Sequence, residues 1–567
     1  MTSLNCDRGE SQQMTSVWMD FTECYSDTVS SVAAAARSGS VKLMRHLIRQ
    51  GLSVDCQDNR GWNALHEAAS AGNKECVREI LSAAATRSSR GIQAYVNSLT
   101  FEGESACYLA AQHGHVAVVR LLLNADADIN QLTNDLSCSL YAAVNGGHKE
   151  VVELLISKGA ELDRPHTASC WTCLHQAVYE GHSEIVRMLA NVCNLEARDD
   201  HKITPLFLAA QYDRQDCLEI LVNAGADVNS QAEDLATPLL IASQEGHEGC
   251  VNFLLDHGAN PNLVCSRDWP QFPIHAAAQF GHNNILRKLI ALTDRACDSG
   301  DGMVSPIYVA IESCQRQSME LLLREGYSPD AQDCSNLVGP LSPLSFALDL
   351  SSEGVSDMVR LLVGAGATLK EEEWTSALAT DKTDLLQLIL QHRWIPHPET
   401  PSPNRQGKML LTPQERETLI CAALGQVQFG ACWMPLLLKA GLEPSLLLHP
   451  YMFEKAVSTV LNYLLEFVNW STLSPPLQLI LDRRRVEKTW EPYSHFDHVP
   501  CLSHLCRLQV RAVLGSDVLM RTDVVRQLPV PSLLHSYLRF SDIQEPSHER
   551  SDVQPVSDQI EEHLRPQ

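Results

Sequence analysis

Apolar positions between Ser31 and about Ala367 recur with a helical rhythm, and that rhythm itself repeats. Asn63-Ala64-Leu65-His66-Glu67-Ala68-Ala69 is answered by Thr172-Cys173-Leu174-His175-Gln176-Ala177-Val178, then by Thr204-Pro205-Leu206 and Thr237-Pro238-Leu239. Weaker copies start at Ser105, Cys138, Phe272, Ser305 and Ser342, with Ala33-Ala34-Ala35-Ala36 as a degenerate first one. The spacing is roughly 33 residues, stretched before Ser105 and Ser342. Each unit predicts two helices. A Thr or Ser caps the first by accepting a backbone N–H bond, and Pro fits the first helical position, where no N–H is needed. Paired alanines such as Ala209-Ala210 keep that helix slim, and glycines such as Gly114 and Gly181 end it. A leucine stripe follows, as in Val118-Val119-Leu121-Leu122, and a second glycine closes the unit. Such units bury their apolar faces only against neighbours, which predicts a solenoid with an extended concave surface.

Beyond Ala367 the pattern wears down. Trp374 to Leu390 and Gln414 to Leu448 read as degenerate helix pairs, separated by the proline-rich stretch from Pro396 to Pro413, which reads as an insertion loop. Phe453, Val457, Val460, Leu461, Leu464 and Val468 predict one closing helix over Tyr451 to Asn469. Then Leu502, Cys506 and Val510, four residues apart, form an apolar stripe on a predicted helix. About twenty residues later comes Leu528-Pro529-Val530-Pro531, with Leu534, Tyr537 and Leu538 behind it. The divisions are a flexible lead-in over 1–28, repeats over 29–368, worn repeats, loop and closing helix over 369–495, a helical module over 496–540, and a disordered tail over 541–567.

Charge and composition narrow the partners. A formal net charge of −25 disfavours nucleic acid, whose phosphates such a surface repels. Met1 to Asp20 lacks a basic region followed by an apolar stretch, so no secretory signal is expected, and no run approaches the ~20 apolar residues that span a bilayer. The 19 cysteines are scattered, several of them inside predicted helices, and read as reduced, buried, small hydrophobes of a cytoplasmic protein.

The repeat motif resembles that of the ankyrin-repeat family. The stripe of Leu502, Cys506 and Val510 resembles the elongin-binding box of a SOCS box, and Leu528-Pro529-Val530-Pro531 with Leu534 and Tyr537 resembles the cullin-five box that follows it. Cys501 departs from the usual Ser, Thr, Ala or Pro at the first position of the elongin box, but is small enough to fit. The layout is similar to that of the ankyrin repeat and SOCS box family, from about residue 19 to 545. The implied fold is all-α, an ankyrin solenoid of about ten to twelve repeats, the last degenerate, followed by a small helical SOCS box. The resemblance implies that Leu502, Leu505, Cys506 and Val510 bind elongin C, itself paired with elongin B. It implies that Leu528, Pro529, Val530, Pro531, Leu534 and Tyr537 bind cullin-five, which carries a RING subunit. The chain would then hold an unidentified target for ubiquitination and proteasomal degradation. The alternative is a non-catalytic ankyrin scaffold that binds partners without recruiting a ligase.

Residue types that invite catalysis have simpler expectations. His66, His175 and His275 occupy the repeat's own histidine position and are expected to hydrogen-bond between adjacent turns. Cys170-Trp171-Thr172-Cys173 has zinc-like spacing, but no second Cys pair completes it, so neither metal nor cofactor is expected. No nucleophile motif stands apart from the repeats, and ubiquitin chemistry would come from partners. Trp62 and Trp171, both just before a helix cap, and Phe101 are candidate anchors for the target; Trp269 and Tyr212 are weaker ones. Asp126, Asp128 and Asp199-Asp200 are expected to be solvated turns.

Overall fold

In the computed structural model, the polar residue before each alanine-rich run caps a helix. Ser105 accepts from the Tyr108 amide at 3.1 Å, Thr237 from Leu240 at 3.1 Å, and Ser30 from Ala33 at 3.1 Å. The structure describes residues 29–546 except 88–90, 167–168, 266–270, 300–303, 331–341, 351–353, 380–381, 396–408, 515–525, 527 and 529. The lead-in over 1–28, and most of the tail and of the proline-rich loop, lie outside these residues, as do Trp269 and Pro529. The chain divides into two units, residues 1–267 and 268–567.

Helix pairs build the first unit. Ser31–Arg37 with Val41–Arg49, Ala64–Ser70 with Lys74–Arg87, and Ala106–Gln112 with Val116–Leu123 open the series, and Pro238–Glu245 with Glu248–Asp256 ends it. First helices stack on first helices and second on second. Ala68, Ala69, Ala110 and Ala143 are fully buried in that stack, where a larger side chain would overpack it. The stretched spacing before Ser105 holds an extra short helix, Ile92–Val96.

Two ladders hold the repeats in register. A residue at the second helix's N-cap reaches back to the preceding repeat. His115 donates from Nε2 to the Ser70 carbonyl at 2.9 Å, His148 to Gln112 at 2.9 Å, and His247 to Gln211 at 3.0 Å; Arg214 substitutes, donating to Tyr179. Gly72 makes room for the first of these, because a Cβ there would lie 2.6 Å from the His115 ring, and its φ is +73°. Along the turns, an Asn or Asp side chain accepts the amide of the residue 31 positions on: Asn130 from Glu161, Asp163 from Asn194, Asn229 from Asn260.

The second unit continues the pairing, from Pro273–Phe280 with Asn283–Leu292 to the worn pairs Glu371–Ala377 with Thr383–His392 and Pro413–Gly425 with Gly430–Lys439. The all-α fold is as expected, with one small addition: Arg393–Trp394 pairs in parallel with Met409–Leu410. One expectation changes here. The single closing helix is two, Pro450–Lys455 and Ser458–Leu465. His449 caps the first, Pro450 takes its first position, and Ala456 and Val457 are extended between them. Val457, placed by periodicity on the apolar face, is therefore exposed, while Phe453, Val460, Leu461 and Leu464 are buried. No single helix among the described residues is long and apolar enough to cross a membrane.

Candidate functional site

The carboxy-terminal module is a helix, Leu502–Leu514, against which a second, Ser532–Leu538, packs. Its inner face is unusual: His504, Arg507 and Arg511 are buried. Arg507 lies over the rings of Tyr537 (4.2 Å) and Phe540 (4.0 Å) and donates to Asp542 at 2.9 Å. Arg511 lies 5.5 Å from the Phe467 ring and 5.4 Å from Phe540, whose rings stack at 4.4 Å. Burial lowers the Arg511 guanidinium to about 10. Phe467 follows the helix Ser458–Leu465, so cation–π and stacking contacts fasten the module to the closing helices. Asp542, together with Glu545 on Lys439, carries the module past 540, so residues 541–546 belong to it and not to a loose tail. A buried guanidinium requires an acceptor, and Asp542 supplies it.

The opposite face is bare. Leu502 is 77% exposed and Val513 71%, with Cys506 and Gln509 exposed between them. Leu505 is half-buried. Val510 is not on this face; with Leu514, Leu528 and Val530 it packs on Leu538 and forms the module's small core. Leu528 and Val530 are thus half-buried, whereas Pro531 and Leu534 are exposed and Tyr537 sits under Arg507. The apolar spacing found the helix but gave Val510 the wrong neighbour. Val513, the better match to Leu502, was legible only on a helical wheel.

A second surface belongs to the first unit. Trp171 lies 5.4 Å from Tyr179, which meets Tyr212 edge-on at 5.0 Å, and both tyrosines are exposed. Trp171 also donates from Nε1 to Asp199 at 3.3 Å. The structure therefore joins Trp171 and Tyr212 through Tyr179, which sequence reasoning passed over because it ends a helix in the repeat pattern. Trp62 stands apart, half-buried under Arg60 at 4.3 Å. Phe101, 66% exposed, donates its backbone amide to the Arg60 carbonyl at 3.0 Å. Asp199 is no solvated turn: it is buried and accepts the His201 and Ile203 amides at 2.9 and 2.8 Å, because the tight hairpin leaves those N–H groups without strand partners. Asp200 is exposed.

The histidines behave as expected. His66 accepts the Asn63 amide at Nδ1 (3.1 Å) and donates from Nε2 to the Ser98 carbonyl (3.0 Å). His175 does the same between Thr172 and Ile203, and His275 between Phe272 and Val304. Burial holds His66 and His275 neutral, down to about 4, and lowers His175. Cys170 and Cys173 are not a pair. Cys170 is exposed, while Cys173 is buried with Cys138 and His166.

These repeats and this module match known proteins. A sequence profile described as ankyrin repeats (3 copies) matches residues 32–133, 139–232, 174–265 and 239–333, and one described as the SOCS box matches 498–539. Ankyrin repeat and SOCS box protein 3 of Homo sapiens is 41% identical over 528 residues, covering 93% of this chain and 97% of the relative. The chain belongs to the ankyrin repeat and SOCS box family. The protein of the same name from Bos taurus is 40% identical over 526 residues, covering 93% and 96%. Among solved structures, the ankyrin repeat domain of Bcl-3 is 23% identical, with a TM-score of 0.35, and is covered to 98% by 40% of this chain. As a SOCS-box member of this family the chain is a substrate adaptor of the cullin ligase class, and a SOCS box generally binds elongin B/C and a cullin.

Proposed function

We propose that this adaptor recruits elongin B and elongin C through the exposed face of Leu502–Leu514, and cullin-five with its RING subunit through the segment from Leu528 to Tyr537. The single observation that carries this reading is Leu502. It is a large apolar side chain left 77% exposed on a helix whose opposite face is locked in place by Arg507 and Arg511. An apolar stripe on a helix that is already folded fits a partner's groove, and little backbone ordering remains to be met on binding. The repeats grip a target, and the assembly brings a charged ubiquitin-conjugating enzyme to its lysines. The mechanism is proximity, with no chemistry on this chain. Proteasomal degradation of the target in the cytoplasm is the outcome we assign.

The cullin half is tested with purified elongin-bound complex and two cullins, cullin-five and a second cullin as control. Retention of cullin-five alone, lost on Leu534→Asp with elongin still bound, is the expected result. Equal capture of both cullins, or loss of elongin together with the cullin, contradicts the division of the module.

A further inference from the structure

Three departures from the repeat pattern meet at one buried point. In three other repeats, the residue that caps the first helix pairs with a side chain on the next hairpin: Asn63 with Ser98 at 2.8 Å, Thr204 with Ser230 at 3.2 Å, Thr237 with Cys265 at 3.6 Å. In the repeat that starts at Cys138, the cap is a thiol and its hairpin partner is His166, with Sγ 3.7 Å from Nε2. Cys173 is the third departure. It fills the first helical position, where Pro205, Pro238 and Pro273 stand in other repeats. The two sulfurs and one ring nitrogen all lie within 4.8 Å of one another, and all three residues are buried.

We propose that Cys138, His166 and Cys173 form a site for one thiophilic d10 cation of the zinc or copper(I) class. The donor set is soft on two sides and imidazole on the third, the combination such ions take. Zn–S and Zn–N bonds of about 2.3 and 2.05 Å at a tetrahedral angle put sulfur and nitrogen about 3.6 Å apart, close to the 3.7 Å between Cys138 and His166. The His166 ring is oriented as a ligand. Its Nδ1 faces the Leu136 carbonyl at 3.4 Å, so that nitrogen carries the proton and Nε2 offers a lone pair toward Cys138. The Tyr141 amide donates to the Cys138 sulfur at 3.4 Å, and the Tyr141 ring sits 5.3 Å from the imidazole. Binding replaces the thiol protons of Cys138 and Cys173, which leave to solvent, and no electron is transferred. The ion would tie the cap of one repeat, the hairpin that follows and the first residue of the next repeat's helix together, two residues from Trp171.

The test uses the full chain, reduced and chelator-treated, titrated with Cd2+ as the probe and read by sulfur-to-cadmium charge-transfer absorption. Cys138→Ser keeps a capping oxygen like that of Ser105, so it removes a ligand without removing the cap. The expected result is one Cd2+ equivalent per chain more in the wild type than in Cys138→Ser or Cys173→Ala, displaced by Zn2+ or Cu+, with affinity at least tenfold weaker in His166→Ala. Cys265→Ser, at the corresponding pair of another repeat, should match the wild type. Equal stoichiometry in the wild type and both cysteine variants overturns the proposal, as does a loss of the extra equivalent in Cys265→Ser.

Discussion

The repeat histidines show how far a residue's role is fixed by its place in a motif. Each accepts a backbone amide at Nδ1, so protonation would set two N–H groups against each other, and burial penalises the charge as well. Their positions in the repeat made this legible. For His66 and His275 the folded value of about 4 lies below the ordinary one of 6.5. The unfolded chain therefore takes up protons first, and stability is constant above about pH 6.5 and falls as pH drops toward 4. At pH 5.5 each should cost about 1.4 kcal/mol relative to pH 8, a tenfold shift in the unfolding constant of its repeat. Urea unfolding across that range checks this; a flat profile would contradict neutral burial. Asp199 was not legible in the same way, because Asp in a turn is normally solvated. Its burial is imposed by two hairpin amides and the Trp171 indole, contacts that only the folded hairpin creates. Gly72→Ala should also destabilise, by about 1 kcal/mol or more, since it meets both the His115 ring and a positive φ. Thermal unfolding would show it.

At the scale of elements, the helix at 502–514 was visible in the sequence and its working face was only half visible. Advancing about 100° per residue, a helix turns about 80° between Leu502 and Val510 but returns to within about 20° of Leu502 at Val513. Val510 therefore falls on the flank, against Leu538, and Val513 on the bare face. The face that fastens the module could not be read as such, since Arg507 and Arg511 in a sequence suggest solvent and become core only between Phe467, Tyr537 and Phe540. Arg507→Ala should loosen the second helix, Ser532–Leu538, by roughly 1–2 kcal/mol through lost cation–π contacts with Tyr537 and Phe540, while the half-exposed Asp542 stays solvated. Hydrogen exchange at 532–538 would rise sharply, and unchanged protection would contradict the docking role. The closing helix failed for a local reason: an apolar period does not reveal a break where His449 and Pro450 start a new helix and Ala456 ends it.

For the whole molecule, the repeat period carried the fold from Ser31 through the worn pairs, because each helix pair depends on its neighbours and repeats their chemistry. The proposed adaptor role uses two surfaces, the aromatic ridge around Trp171 and the bare face of Leu502–Leu514. They should be separable. Trp171→Ala with Tyr179→Ala should leave elongin binding within twofold of wild type while reducing ubiquitination of proteins that the wild type modifies in cells, measured by ubiquitin-remnant proteomics. An unchanged modification profile would move target recognition to another face of the repeats.

The adaptor reading stands or falls on the helix from Leu502 to Leu514. Calorimetric titration of the purified chain with elongin B/C tests it most directly, comparing wild type with Leu502→Asp and with Val510→Ala. The account predicts saturable one-to-one binding, weakened at least thirtyfold, about 2 kcal/mol, by Leu502→Asp and far less by Val510→Ala. Equal affinity of the wild type and Leu502→Asp, or no binding by either, would contradict it.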